Sequence, residues 1–316
     1  MTKYRSSLPQ LSGGLFLTDG GIETTLIFHD GLDLPYFAAF DLLKDQPGRE
    51  ALKRYFTTHA SIAKANGCGF LFESPTWRAS SDWGDKLGYS ETDMAKVNKQ
   101  SISLLTELRE TFESDRSPMV ISGCVGPRGD GYSPGALMTP QEAEAYHAKQ
   151  IQVFAETEAD LVTAITMTNV EEAIGVTRAS QAAGMPVAIS FTVETDGRLP
   201  SGATLKEAIE AVDAATANGP AYFMINCAHP DHFEGAIAAG ETWVERIKGL
   251  RANASRLSHA ELDEAEELDD GNPEEFGQQH RALHRMLGHI TVMGGCCGTD
   301  HRHIEAICHA CVSEAA

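Results

Sequence analysis

The sequence predicts a single-domain (β/α)8 barrel, the TIM-barrel class of α/β fold. Two observations predict it. Short apolar, β-rich runs alternate with helical patterns eight times along the 316 residues, and strands that alternate with helices build parallel sheets. Eight such units in a chain of this length match one closed barrel. A doubly wound open sheet is the competing arrangement. It would carry a glycine-rich dinucleotide fingerprint after the first strand, whereas here Asp19-Gly20-Gly21 opens a turn and no GxGxxG follows.

The units run in order. LFLTD (15–19) is read as the first strand and 47–66 as its helix. FLFES (70–74) precedes a helix over 92–112, and PMVISG (118–123) one over 140–158. DLVTAI (160–165) precedes a helix over 169–183, and PVAISFT (186–192) one over 204–218. AYFMINC (221–227) is followed by a helix over 240–247. The weakest strand, 248–252, leads through an acidic stretch to a helix over 274–287, and HITVMGG (289–295) leads to a last helix over 300–312. No interdomain linker or internal repeat interrupts the pattern.

The composition excludes several classes. A formal net charge of −20 repels nucleic acid and anionic membranes, so neither is an expected partner. No apolar run approaches the ~20 residues of a membrane span, and MTKYRSSLPQLSGG has no secretory apolar core. A cytoplasmic enzyme is expected, and a homo-oligomer is allowed. Much of the acid lies in 259–275, read as a solvated loop or exposed helix.

The cysteines are Cys68, Cys124, Cys227, Cys296, Cys297, Cys308 and Cys311, an odd set that makes a disulfide framework a poor reading. In a barrel of this kind chemistry gathers at the C-terminal ends of the strands. Asp19-Gly20-Gly21, Glu73-Ser74, Asn226-Cys227 and Gly294-Gly295-Cys296-Cys297-Gly298 fall there. Cys227, Cys296 and Cys297 could share one zinc ion, with a fourth position open. Adjacent strand residues point to opposite faces, so the two neighbouring thiols need a bent backbone, which the flanking glycines allow. Zinc on three thiolates is a poor source of hydroxide and a good holder of another thiol, which it deprotonates. Alkyl transfer to a thiol is the chemistry that fits. A hydrolase would need a site richer in histidine and carboxylate.

Other readings of the cysteines stand beside this one. Any single cysteine is commonly core. Cys296, Cys297, Cys308 and Cys311 could instead form a structural four-thiolate zinc knot in a non-catalytic protein. Against this, Cys308 and Cys311 share a helical stripe with Ile304 and Ile307, which fits core packing. His301 and His303, two apart, do not face each other on a helix and read as surface residues at its start. GxSxG and P-loop motifs are absent.

GGCCGT after a strand, INC after an earlier strand, DGG near the N-terminus, CVGPRGDGY (124–132) and SFTVETDGRLPSG (190–202) together resemble the homocysteine S-methyltransferase family over nearly the whole chain, 1–316. The resemblance implies a (β/α)8 barrel with Zn2+ on Cys227, Cys296 and Cys297. It implies that Asp19 and Gly20 help hold the amino acid end of homocysteine, and that Asn226 is the asparagine before the first ligand. It also implies methionine as product. The chain departs from the family where Cys-Glu-Thr usually follows the fourth strand: here Ala164-Ile165-Thr166 stands, and Ile165 replaces the acid expected at the substrate ammonium. Glu73 is an alternative source of negative charge; Glu171 and Glu172 look helical. Thr76-Trp77 replaces the usual Thr-Tyr pair. The acceptor is homocysteine or a related thiol or selenol. The donor is a small onium compound such as S-methylmethionine, a betaine or S-adenosylmethionine, since a folate or cobalamin donor would need further domains. Trp77, Trp83 and Tyr132 are candidates for facing the donor cation, or for ordinary loop packing.

Overall fold

The computed structural model describes residues 2–133, 135–237 and 240–312. Its centre is a closed barrel of parallel strands in sequence order. These are β1 (Phe16–Thr18), β2 (Gly69–Glu73), β3 (Met119–Val125), β4 (Leu161–Met167), β5 (Val187–Phe191), β6 (Tyr222–Asn226), β7 (Ile247–Ala252) and β8 (Val292–Gly295). Pairing of Phe16 with Val292 and Leu17 with Met293 closes the ring. The predicted fold class is therefore found, and every predicted strand lies within three residues of its observed place.

The main outer helices are α1 (Gln46–Asn66), α2 (Glu91–Phe112), α3 (Pro140–Ala155), α4 (Val170–Ala182), α5 (Leu205–Thr216), α6 (Pro230–Ile237), α7 (Pro273–Met286) and α8 (His301–Val312). Their starts are written locally. Ser90 with Asp93, Thr139 with Glu142 and Thr204 with Glu207 form reciprocal capping boxes, each satisfying otherwise orphaned backbone donors. One helix differs from expectation. The stretch 240–247 is not α-helical: Thr242–Arg246 is a 3-10 turn that feeds straight into β7, because Ile247 must already pair with Phe223. The helix of that unit lies earlier, at α6, where Pro230 supplies a first-turn residue with a preset φ.

Side chains alternate along each strand, which sorts the barrel interior into layers. At the base Phe16, Leu71, Val120, Leu161, Tyr222 and Val292 pack together, covered by Leu8. Two residues further on, the inward positions turn polar: Thr18, Glu73, Ser122, Thr163, Ser190 and, on β7, Arg251. Hydroxyl pairs span this layer, with Ser122 and Thr163 oxygens 2.7 Å apart. The barrel is thus a dry plug below and a polar floor above, on the side where the strands end.

A buried ion pair fastens the outside of the barrel. Asp160, at the start of β4, accepts from Arg109 Nη1 at 2.8 Å, from Ile121 N–H at 3.0 Å and from Tyr4 N–H at 2.8 Å. This links α2, β3, β4 and the N-terminal segment. Removing one partner of a buried pair strands the other charge, at about 3–5 kcal/mol. Arg109→Met should therefore lower unfolding stability by about that amount in urea titrations; a loss below about 1 kcal/mol would show that Asp160's backbone partners suffice.

Candidate active site

A cleft of about 310 Å³ opens over the polar floor at the C-terminal ends of the strands. Asp19, Gly20, Glu73, Trp77, Cys227, Cys296 and Cys297 all line it. The structure thus brings together most of the residues singled out from sequence. Asn226 and Thr76 lie just behind the wall, both fully buried.

Cys227, immediately after β6, has φ 51°, and Thr166, inside β4 where its register against β5 shifts, has φ 66°. Both are in the left-handed region that non-glycine residues enter rarely, and a β-branched residue least of all. The left-handed turn at Cys227 interrupts the strand's alternation at the rim, where its sulfur meets those of Cys296 and Cys297. The three sulfurs lie within 4.8 Å of one another.

The glycines beside Cys296 and Cys297 act partly as expected. Gly298 has φ +78° in a turn closed by Thr299 N–H on Cys296 O at 3.1 Å, a turn position that favours glycine. Gly294 and Gly295 serve another purpose. They are regular β8 residues whose hypothetical Cβ atoms would strike the Thr18 and Thr299 hydroxyls, so their role is close approach.

The sulfurs of Cys227 and Cys296 are joined as a disulfide, while Cys297 is a free thiol. Sequence reasoning disfavoured disulfides as a framework, and this bond is not one: it sits inside the cleft, between two candidate metal ligands. Each sulfur has one polar neighbour poised to donate. Thr166 Oγ1 lies 3.7 Å from Cys227 Sγ, Asn226 Nδ2 3.9 Å from Cys296 Sγ, and Tyr132 Oη 3.4 Å from Cys297 Sγ. Burial pushes the Cys297 thiol up, and the Tyr132 hydroxyl offsets part of that shift. Asn226 is itself locked: its Oδ1 accepts from Thr166 N–H at 3.0 Å and Ser190 Oγ at 2.6 Å.

Cys308 and Cys311 do not join this set. They are buried on α8, Cys308 Sγ 3.9 Å from Cys68 Sγ and Cys311 Sγ 3.8 Å from Met293 Sδ. Among the described residues the one three-ligand cluster is Cys227, Cys296 and Cys297. The core reading of the tail pair holds and the four-thiolate knot does not form. His301 is exposed as expected, but His303 is fully buried, bonded to Asp300 and to Asp270 O at 2.9 Å. An i,i+3 link to Asp300, the residue just before the helix, draws its ring inward.

The floor is strongly charged. Asp19 is buried, its Oδ1 2.8 Å from Arg251 Nη2 and its Oδ2 accepting from Tyr55 Oη at 3.0 Å. Glu73 is also buried, and neither of its carboxyl oxygens has a hydrogen-bond partner. Burial pushes Glu73 up to about 7, and the Arg251 charge offsets only part of this. Glu23, in the short helix Ile22–Thr24 after β1, is likewise raised to about 7, first by burial. Thr76 bonds to Ser74 Oγ at 2.6 Å and Cys124 O at 2.7 Å, supporting the wall from behind. Glu172 is spent on His147 at 2.8 Å and Arg128 N–H at 2.7 Å. Ile165 lines the cleft where the resembled family carries an acid.

On the aromatic side of the cleft, Trp77 and Trp83 pack around a cation of the chain's own, in line with the loop-packing alternative. Arg78 is that cation: its Cζ lies 4.0 Å from the Trp77 ring centre and 3.8 Å from that of Trp83. Lys86 Nζ takes a further position 3.7 Å from Trp83. Tyr132 stacks on His259 at 4.1 Å with planes 13° apart. The acidic stretch is also more than a solvated loop. His259 within it is buried and bonded to Cys227 O at 2.8 Å, and Leu262, Asp263, Leu268 and Asp269 form part of the cleft wall. Sequence reasoning missed Arg251, Arg78, Glu23 and His259. An arginine inside the weakest strand was the one signal for Arg251, and the TWRAS order placed Arg78 beside a residue already singled out.

A parallel (β/α)8 barrel with three converging cysteines at its catalytic rim is the frame of an enzyme with a candidate metal centre. The homocysteine S-methyltransferase pattern matches residues 16–311: the chain belongs to that family and is a methyltransferase, with a small thiol acceptor and a methyl donor as its substrates. It is 26% identical over 322 residues to selenocysteine Se-methyltransferase of Brassica oleracea var. italica, covering 94% of this chain and 88% of that one. It is 24% identical over 324 residues to homocysteine S-methyltransferase 2 of Arabidopsis thaliana, covering 94% and 92%. Its fold matches the metallated form of the homocysteine methyltransferase MmuM from Escherichia coli with a TM-score of 0.75 at 17% identity, over 96% of this chain and 98% of that one. No described helix is long and apolar enough to cross a membrane.

The Glu73 shift has a definite sign. Its folded pKa of about 7 lies above the ordinary 4.5, so the neutral carboxyl is the favoured buried form. The stability it lends is fully present below about pH 4.5, falls as pH rises toward 7, and is gone above that. In metal-free protein, Glu73→Gln should gain about 2.5 kcal/mol relative to wild type between pH 5 and pH 8. Parallel urea-unfolding profiles across that range would refute it.

Proposed function

We propose that this chain, acting as one unit over 1–316, transfers a methyl group from a small onium donor to the thiol of homocysteine and forms methionine. Zinc would be held by Cys227, Cys296 and Cys297. The observation that carries the reading is the donor set: three sulfurs converge at one rim, each with its own hydroxyl or amide neighbour. Thiolate-only coordination suits zinc, and hydrogen bonds from the surrounding shell orient such ligands and temper their charge. Ligation requires the Cys227–Cys296 pair in its reduced form. Bound there, zinc would keep the acceptor thiol deprotonated at neutral pH, leaving a nucleophilic sulfur without a side-chain base.

The remaining work belongs to the chain's own side chains. Asp19 and Gly20 frame the acceptor's seat on the proposed reading, Asn226 supports it from behind the wall, and Glu73 offers an unpaired carboxyl to its ammonium in place of the acid missing at Ile165. Trp77, held by its indole N–H on Ile165 O at 3.1 Å, walls the same space, with Thr76 behind it. The stretch around Leu262–Asp269 forms part of the cleft wall and would help hold both reactants in place for in-line attack. A selenol acceptor is the second reading, favoured by the Brassica relative. A cytoplasmic location fits both.

Two experiments test this. Reduced wild-type protein should bind one zinc per chain and form methionine from homocysteine with one of the onium donors, by mass spectrometry. Cys227→Ser, Cys296→Ser and Cys297→Ser should each lose both zinc and turnover while keeping the far-ultraviolet circular dichroism of the parent; near-normal turnover in any of them sinks the three-thiolate site. Tyr132→Phe removes one hydrogen bond to a ligand sulfur, so zinc affinity in a chelator competition should fall by about 10- to 100-fold. An unchanged affinity would reduce that hydroxyl to packing.

A further inference from the structure

Two buried arginines line the cleft, and they are matched unequally. Arg251 sits 2.8 Å from the Asp19 carboxylate. Arg78 has no such partner at hydrogen-bond distance. Its Nη1 donates to Gly129 O at 2.9 Å, its Nη2 stops 3.7 Å from the Asp130 carboxylate, and its buried Nε has no partner. Asp130 is itself 55% exposed, so water screens what it offers. Burial pulls Arg78 down to about 10, which leaves it cationic at neutral pH. A buried charge is costly unless paired and hydrogen-bonded, and the Nε–Nη2 edge is the fork that grips a carboxylate with two parallel bonds.

The guanidinium is also held in place. Its two tryptophan neighbours are tethered, Trp77 to Ile165 O at 3.1 Å and Trp83 to Arg128 O at 3.1 Å. The loop 130–132 joins this assembly to the sulfurs: Asp130 faces Arg78, Gly131 packs on Trp77, and the Tyr132 hydroxyl reaches Cys297 Sγ at 3.4 Å. With the acceptor's amino acid end assigned to the Asp19 side, the Arg78 side is left for the second substrate.

We propose that Arg78 receives a carboxylate of the methyl donor, so that the donor is an onium compound bearing a carboxylate and not a simple cation. This rests on the methyl-transfer reading above. A donor without the carboxylate would bring its positive charge to an unneutralised guanidinium in a low-dielectric site, which selects against it. The carboxylate anchors one end of the donor on Arg78, and the onium methyl points along the 130–132 loop toward the acceptor sulfur.

The test uses the full, reduced, zinc-loaded chain. Calorimetry would measure binding of glycine betaine, dimethylsulfoniopropionate and S-methylmethionine, each beside its carboxamide, to wild type, Arg78→Met and Arg78→Lys. At least one acid should bind wild type about 10-fold or more tighter than its amide, as expected for a charge-assisted hydrogen-bond pair. Arg78→Met should erase that preference and Arg78→Lys should keep part of it. Homocysteine affinity should stay within about twofold in both variants, since Arg78 is not assigned to the acceptor. Equal binding of acid and amide, no binding of any acid, or loss of homocysteine binding in place of donor binding overturns the proposal. The acid–amide comparison on wild type decides even if a variant fails to fold. Methionine formation is scored separately. Arg78-dependent acid binding without methyl transfer would defeat the methyl-transfer reading alone, and methyl transfer indifferent to Arg78 would defeat this proposal alone.

Discussion

The approach of β8 to β1 is the constraint on which the site depends. A side chain at 294 would collide with Thr18, and one at 295 with Thr299. Gly21 is in the same position from the other side, since a Cβ there would meet Cys296 O. With these side chains absent, β8 closes the ring and the backbone turns immediately after it. Cys296 N–H then bonds to Ala252 O at 2.8 Å, and Cys297 O accepts from Ala254 N–H at 3.1 Å. Both thiols are thereby pinned to the end of β7. The first thiol arrives from β6 by a left-handed turn at Cys227, whose N–H bonds to Arg251 O at 3.1 Å. Strand β7 supplies no ligand, yet it is the bar to which all three cysteines are tied.

That bar explains the buried charge. Arg251 lies between the thiols' backbone anchors and the β1 rim, where it bonds to Gly295 O at 3.2 Å and pairs with Asp19. An arginine inside a barrel is tolerable only because the layer around it is polar and Asp19 answers it directly. Asp19 is in turn fixed by Tyr55 from α1. The aspartate implied by family resemblance to hold substrate is thus first a structural counter-ion, and its contact with any acceptor is shared with Arg251. Glu73 has no such commitment, which is why its carboxyl shifts so far.

Fold and the cysteine cluster were legible for different reasons. Strand–helix alternation is a local signal, so barrel class and element order could be read directly. The unit after β6 failed because a 3-10 turn and a strand start share the apolar spacing of a short helix around Trp243, Val244 and Ile247. The cysteines were legible as a set because they fall at strand ends. Arg78, Arg251 and His259 were not, since their meaning depends on what lies across the barrel from them. His303 shows the same limit: its spacing from His301 was read correctly, but the partner that buries it is Asp300.

The exchange of an acid for Ile165 gains a physical sense from the same geometry. Ile165 O accepts the Trp77 indole N–H, and Trp77 in turn flanks Arg78. A carboxylate at 165 would lie close to that assembly and would compete with an incoming anion for the guanidinium. An apolar residue there adds no further acid beside Arg78, whose nearest charged neighbours are Asp130 and Glu23, while Glu73, on β2, keeps an unpaired carboxyl deeper in the cleft. On the proposed reading the two departures from the family pattern are therefore one change. The acid moves from β4 to the floor at β2, where a bound ammonium would favour its ionised form, and Arg78 is left at the rim for the carboxylate of a second substrate.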